Sequence, residues 1–329
     1  MNRVLLDVQE LKKYFPIRHG IFSRNKGYVK AVDNVSFQIH EGETFALIGE
    51  SGCGKTTVGK LVMRLLEPTA GSIVFDGRDI THLKRKEMMD IRRKMQIIFQ
   101  DPYGSLNPRM TVEELVREPM LHHQMIKHQD ARAEVIRLLS MVGLSADDLS
   151  KYPHEFSGGQ RQRIVIARAL SLKPHLLICD EPVSALDVSV QAQVLNLLDD
   201  IQKELGIAYL FIAHGMPVIK HISDRVGIMY LGKLVEVADV DSVFGSALHP
   251  YTKALMSAVP IPDPDAPKHH VALRGEIPSP IDLPSGCRFH SRCPQCMEKC
   301  VHEEPRMLEL KPGHFIACHL YNEKGTMQK

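Results

Sequence analysis

Three short patterns in this chain could do chemistry. The first is Gly49-Glu50-Ser51-Gly52-Cys53-Gly54-Lys55-Thr56, which matches the phosphate-loop pattern G-x-x-x-x-G-K-[ST] at every fixed position. In such a loop, glycines let backbone N–H groups surround phosphate oxygens, while the lysine supplies a point charge to the β- and γ-phosphates. The candidate nucleotide ligands are therefore Gly49, Ser51, Gly52, Gly54, Lys55, Thr56 and Thr57, with the Thr56 hydroxyl directed at Mg²⁺. The second pattern is Leu176-Leu177-Ile178-Cys179-Asp180-Glu181, four apolar residues followed by two carboxylates. Asp180 could hold Mg²⁺ through water, and Glu181 could polarise an attacking water. The third is Cys287-x5-Cys293-x2-Cys296-x3-Cys300-x17-Cys318, which takes five of the seven cysteines in the chain. In a reducing compartment disulfides are disfavoured, and clustered thiolates suggest a metal, either Zn²⁺ or an iron–sulfur cluster. His290, His302, His314 and His319 widen that choice.

These groups need elements to hold them. Phe45 to Gly49 reads as a buried strand and Lys55 to Leu66 as the helix after the phosphate loop. Met95 to Phe99, Leu176 to Cys179 and Ile207 to Ala213 are further runs of strand length. Helical patterns lie between them, notably Ala131 to Val142 and Val190 to Leu205. That alternation predicts an α/β fold with a mainly parallel sheet. Val4 to Val8, Tyr28 to Ile39 and Ser72 to Phe75 predict a separate antiparallel β-layer. From His249 the chain is punctuated by prolines, from Pro250 to Pro284, which places a boundary between about 245 and 262, with Tyr251 to Ala258 as a hinge helix. The tail Asn322 to Lys329 reads as polar and frayed.

Composition bounds the reading. The chain has 329 residues, 44% hydrophobic and 24% charged, with 41 basic against 39 acidic side chains. There is apolar material for a real core, and the near-neutral balance argues against a nucleic-acid partner. No apolar run reaches the ~18 residues of a membrane span, and Met1 to Asp7 lacks a signal-peptide layout, so a cytosolic chain is expected.

Phe156-Ser157-Gly158-Gly159-Gln160-Arg161-Gln162-Arg163 is a capped helix start with glycines that admit an anion. It resembles the signature motif of ATP-binding cassette (ABC) proteins. Gln100 then falls at the family's Q-loop position, Ser184-Ala185-Leu186-Asp187 at its D-loop and His214 at its switch histidine. The resemblance implies a P-loop ABC cassette over 1–245, with a RecA-like core, an antiparallel β-layer and a helical subdomain at about 101–172. It also implies that two cassettes pair head to tail and sandwich ATP between the phosphate loop of one and the signature of the other. Ser157, Gly158, Gly159 and Gln160 would then face the partner's nucleotide, with Asp187 beside them. Glu181, His214 and Gln100 would be catalytic, Thr56, Gln100 and Asp180 would hold Mg²⁺, and Phe15 (or Tyr14) would stack on adenine. One departure is visible: Gly215-Met216-Pro217 follows His214, where many relatives have Asp. Any partner contact made by that Asp is in doubt.

Gln100 to Arg109, Asp180 to Gln193 and His249 to Leu255 resemble the ATPases of oligopeptide and dipeptide importers, and the second of their two ATPase subunits most. This implies a sister ABC ATPase, two permease subunits, an extracytoplasmic peptide-binding protein, and a place on the cytoplasmic face of the inner membrane. In that group the extension, here 246–329, carries a [4Fe–4S] cluster whose ligands correspond to Cys287, Cys293, Cys300 and Cys318, with Cys296 either spare or a ligand in place of Cys293 or Cys300. The cluster would be the metal staple of a small extension, with Zn²⁺ as the alternative. Nickel importers share much of this sequence and are the nearest substrate alternative. A cluster-bearing regulator with little hydrolysis is a second class, opposed by the retained Glu181. A DNA-repair ABC protein would need long arms that the Gln100 to Ser157 interval excludes. Cys53 reads as a small tolerated residue or a reactive thiol, and Cys179 as a small hydrophobe.

Overall fold

The computed structural model describes residues 3–17, 27–258, 275–322 and 326. Residues 18–26, the prolines Pro260, Pro262, Pro264 and Pro267 and most of the polar tail lie outside the described residues. The chain forms two compact units, each assembled from separated segments.

One unit comprises Met1–Leu5, Ile39–Thr44 and His82–Ala213. Its strands Met95–Ile98, Leu176–Asp180 and Ala208–Ala213 pair in parallel, with Met95 opposite Leu176 and Asp180 opposite Ile212. The last two strands are buried at every position, which is why they read as unbroken apolar runs rather than alternating ones. Helices Val112–His122, His128–Met141 and Gly158–Leu170 fall between the first two strands. Helix Val188–Leu205 turns Val194, Leu195, Leu198 and Ile201 inward, a helical stripe, and Gly206 ends it in the left-handed conformation at φ 65°.

The other unit comprises Leu6–Gln38, Phe45–Thr81 and His214–Lys329. A four-stranded sheet orders Tyr28–His40, Val4–Pro16, Ala70–Phe75 and Arg78–Asp79 as neighbours, the expected β-layer. Separately, Phe45 to Ile48 pair in parallel with Arg225 to Ile228. Strands Arg225–Tyr230 and Lys233–Asp239 form an antiparallel hairpin. The helix after the phosphate loop runs only from Lys55 to Val62. It stops short of Leu66 because Arg64 takes φ 52° and its Nε donates to the Ile80 carbonyl at 3.0 Å, which turns the chain toward Pro68.

The extension builds onto this unit's sheet. Strands Leu308–Lys311 and His314–Ile316 pair with each other, and the second pairs with Lys233–Asp239, Glu236 opposite Ile316. Tyr230 and Tyr251 from before the extension's proline segment meet Phe289 from beyond it, with ring centroids 4.8–5.3 Å apart. All three rings are fully buried. Ile316, Cys318, Leu320 and Tyr321 pack on Leu248, Met297 and Leu310.

Candidate functional site

In the second unit, the buried strand ending at Ile48 delivers the chain into the phosphate loop. Gly54 caps the following helix at φ 108° and offers no side-chain hydrogen bond, so the first helical N–H groups have no side-chain cap competing with an anion. A Cβ on Gly54 would sit 2.1 Å from the Ala31 carbonyl oxygen, and one on Gly49 2.1 Å from that of Met229. Only glycine fits either place, which accounts for both fixed positions of the motif. Lys55 is buried and folded back: its Nζ donates to the Gly49 and Glu50 carbonyls at 2.7 and 3.1 Å. Burial pushes the Cys53 thiol up, against a partial opposing effect of Lys55, so the small-residue reading of Cys53 fits better than the reactive one. Phe15 is 36% exposed at the end of Val4–Pro16, whereas the Tyr14 hydroxyl is engaged by Asp33. His214 is exposed, ahead of helix Met216–Ile222, whose first position is capped by Gly215 without a side-chain bond.

The first unit brings the two expected water-handling residues together. Gln100 Nε2 donates to Glu181 Oε2 at 2.9 Å across 81 residues of chain. Glu181 sits at φ 52°, a left-handed conformation costing about 1–2 kcal/mol for a non-glycine residue. Its N–H bonds the Ile212 carbonyl at 3.0 Å, and its own carbonyl accepts from the Ser184 N–H and hydroxyl at 3.2 and 3.1 Å. These bonds hold the strained backbone in place at a buried carboxylate closing a strand. Asp180 beside it is also buried.

The signature lies in the same unit. Ser157 Oγ accepts from the Gln160 N–H at 3.3 Å, and Gln160 Oε1 accepts from the Ser157 N–H at 3.0 Å, a reciprocal capping box. Ser157, Gly158 and Gln160 are exposed. Gly159 is buried against helix Val188–Leu205, where a Cβ would meet Val190 Cγ1 at 2.4 Å. Asp187 caps that helix, accepting from Val190 N–H at 3.0 Å and Ser189 Oγ at 2.6 Å. These bonds hold its carboxyl below the usual carboxylate range.

The cysteines depart from expectation. Among the described residues, no three His, Cys, Asp or Glu side chains are gathered where they could hold a metal ion. The expected metal staple of Cys287, Cys293, Cys300 and Cys318 is therefore not supported here, and Cys296 is exposed. Burial pushes the Cys287 thiol up to about 11 and Cys318 up to about 12, and neighbouring thiols add to both shifts. The extension is instead secured by its hairpin, the aromatic cluster and a buried polar joint. In that joint the fully buried Glu236 carboxylate accepts from the Leu248 and His249 N–H groups at 2.8 and 3.0 Å and lies 2.8 Å from His314 Nε2. Sequence reasoning missed this joint, because its partners lie up to 78 positions apart and match no local pattern.

Comparison with known proteins agrees with this geometry. Residues 32–184 match the family of ABC transporters, and residues 235–300 match the C-terminal region of oligopeptide/dipeptide transporters. The chain is 53% identical to the putative oligopeptide transport ATP-binding protein YkfD of Bacillus subtilis, over 99% of this chain and 98% of that protein. It is 50% identical to the oligopeptide transport ATP-binding protein AppF of the same organism, over 98% of each. Among solved structures, the ATP-binding cassette MJ0796, in a dimeric post-hydrolysis state bound to ADP and Pi, superposes with a TM-score of 0.64 at 26% identity, covering 72% of this chain and 99% of that one. The cassette cbiO1 of Clostridium perfringens, part of the cbiONQ transporter complex, also gives 0.64 at 28% identity, covering 74% and 92%. The chain belongs to the ABC transporter ATP-binding proteins, in the group that carries the oligopeptide/dipeptide transporter C-terminal region.

Proposed function

We infer that this chain is the ATP-hydrolysing subunit of an importer of oligopeptides or dipeptides. The observation that carries the catalytic part is the Gln100–Glu181 contact at the buried end of strand Leu176–Asp180. Glu181 orients and polarises the attacking water, Gln100 holds Glu181 and senses the site, and His214 steadies the γ-phosphate. Gly49, Ser51, Gly52, Gly54, Lys55, Thr56 and Thr57 bind the phosphates of ATP, and Phe15 stacks on adenine. The hard oxygen donors Thr56, Gln100 and Asp180 suit Mg²⁺, which when bound neutralises phosphate charge. Ser157, Gly158 and Gln160, exposed at a capped helix start, and the buried Gly159 between them face the nucleotide of a second cassette, with Asp187 alongside.

In this reading the second cassette is a sister ATPase. The pair works beneath two permease subunits at the cytoplasmic face of the membrane, with an extracytoplasmic peptide-binding protein upstream. Among the described residues no helix is long and apolar enough to cross a membrane. An iron–sulfur cluster rests on the cysteine spacing and the resemblance to peptide-importer ATPases, and plays no part in this mechanism. Iron analysis of anaerobically purified protein tests it, and about four irons per chain would restore it. The function itself is tested by uptake of labelled peptides and of nickel in a strain lacking this chain. Loss of peptide uptake, restored by the wild type but not by Glu181→Gln, is expected. Loss of nickel uptake alone would overturn the substrate.

A further inference from the structure

Glu50 places a carboxylate inside a loop built to hold phosphate. An unpaired negative charge there would repel the ligand, so its neighbours matter. Arg292, 242 residues away in the extension, forms a two-point contact with it: Nη1 to Oε2 at 2.6 Å and Nη2 to Oε1 at 3.0 Å. The guanidinium is 6% exposed and lies over the Tyr230 ring, 5.8 Å from its centroid. The Glu50 backbone is held as well, its N–H donating to the Tyr251 hydroxyl at 2.9 Å. Four residues before Arg292, Arg288 donates to the Asp33 carboxylate and to the Leu231 carbonyl. Asp33 in turn accepts from the hydroxyl of Tyr14, the neighbour of Phe15. One short stretch of the extension thus grips two places that bear on a bound nucleotide, the phosphate loop and the strand end carrying the aromatic.

We propose that Arg292 is a positioning residue for ATP binding, which covers the Glu50 charge and fixes the first turn of the phosphate loop, so that the extension sets the affinity of the cassette for nucleotide. This rests on the reading of Gly49–Thr57 as the ATP site. Without Arg292 the Glu50 carboxylate is free to face the phosphates, and the loop loses its side-chain tie to the extension's Arg292. By linkage, bound nucleotide must also favour the docked extension. A bidentate guanidinium suits this task better than an ammonium, because its planar fork fixes the carboxylate in direction as well as in distance.

The test is MgATP binding by the full-length chain and three variants. Arg292→Ala should weaken binding by roughly 5- to 100-fold. Removing the exposed charge as well, in the double variant Arg292→Ala/Glu50→Gln, should recover much of that loss, which a purely structural role for Arg292 would not produce. Arg292→Lys keeps the charge without the fork and should fall between wild type and Arg292→Ala. Wild-type affinity in Arg292→Ala, or a double variant as weak as Arg292→Ala, would overturn the proposal. If Arg292→Ala does not fold, Arg292→Lys decides alone: wild-type affinity there overturns it, and weaker binding supports it. A wild-type chain that binds no MgATP would instead overturn the assignment of the loop itself.

Discussion

Replacing His249 by Asn should remove a proton-linked weakness from this protein between about pH 6.5 and pH 4. His249 is 1% exposed and caps helix Pro250–Ser257, its Nδ1 accepting from the Tyr251 N–H at 3.0 Å. A ring nitrogen that accepts a backbone N–H cannot also carry a proton, so the neutral form is required. Burial lowers the pKa to about 4 from an ordinary 6.5; Glu236 opposes the shift and Lys253 adds to it. Between those values the unfolded chain takes up a proton that the folded one refuses, so stability is full above about pH 6.5 and falls as the pH drops toward 4. The linkage relation gives a loss of about 2 kcal/mol at pH 5 and about 3 kcal/mol once both states are protonated. Asparagine keeps a capping acceptor but does not titrate. Urea unfolding of wild type and Asn variant at pH 7.5 and pH 5 isolates the effect, since other groups cancel in the comparison. The wild type should lose about 2 kcal/mol more than the variant over that interval. Equal losses, or a His249 ring that titrates near pH 6.5 by NMR, would refute the reasoning.

Glu181→Gln should leave MgATP binding intact while turnover falls roughly 10²- to 10⁴-fold, measured as phosphate release. Undiminished release would remove Glu181 from the base role. Gly54→Ala should abolish nucleotide binding, because its Cβ would lie 2.1 Å from a backbone oxygen and the position needs φ 108°; calorimetry with MgATP checks this. Glu236→Ala strips the buried joint of its carboxylate and leaves His314 and two N–H groups without it, so a destabilisation of about 3–5 kcal/mol is expected from denaturant midpoints.

Much of the machinery was legible because its chemistry is local. The phosphate loop needs glycines where a Cβ would strike backbone, and those positions are spaced along one turn. The capping box at Ser157 and Gln160 and the carboxylates closing an apolar strand likewise follow from neighbours in sequence. The strand runs were legible because strands buried on both faces are apolar throughout. The helix after the phosphate loop was read four residues too long, since the left-handed turn at Arg64 is held by a carbonyl 16 residues away.

What the extension does was least legible. Its cysteine spacing suggested a metal, yet the structure secures it through Tyr230, Tyr251 and Phe289, through Glu236 and His314, and through Arg292 on Glu50. By itself the sequence determined the class of machine and the order of its motifs, because each motif depends on residues within one turn or one strand. Only the tertiary structure decided that Gln100 meets Glu181 and that Arg292 reaches Glu50. Those pairs bridge 81 and 242 positions, and contacts closed by burial and charge at such range leave no periodic trace in the chain.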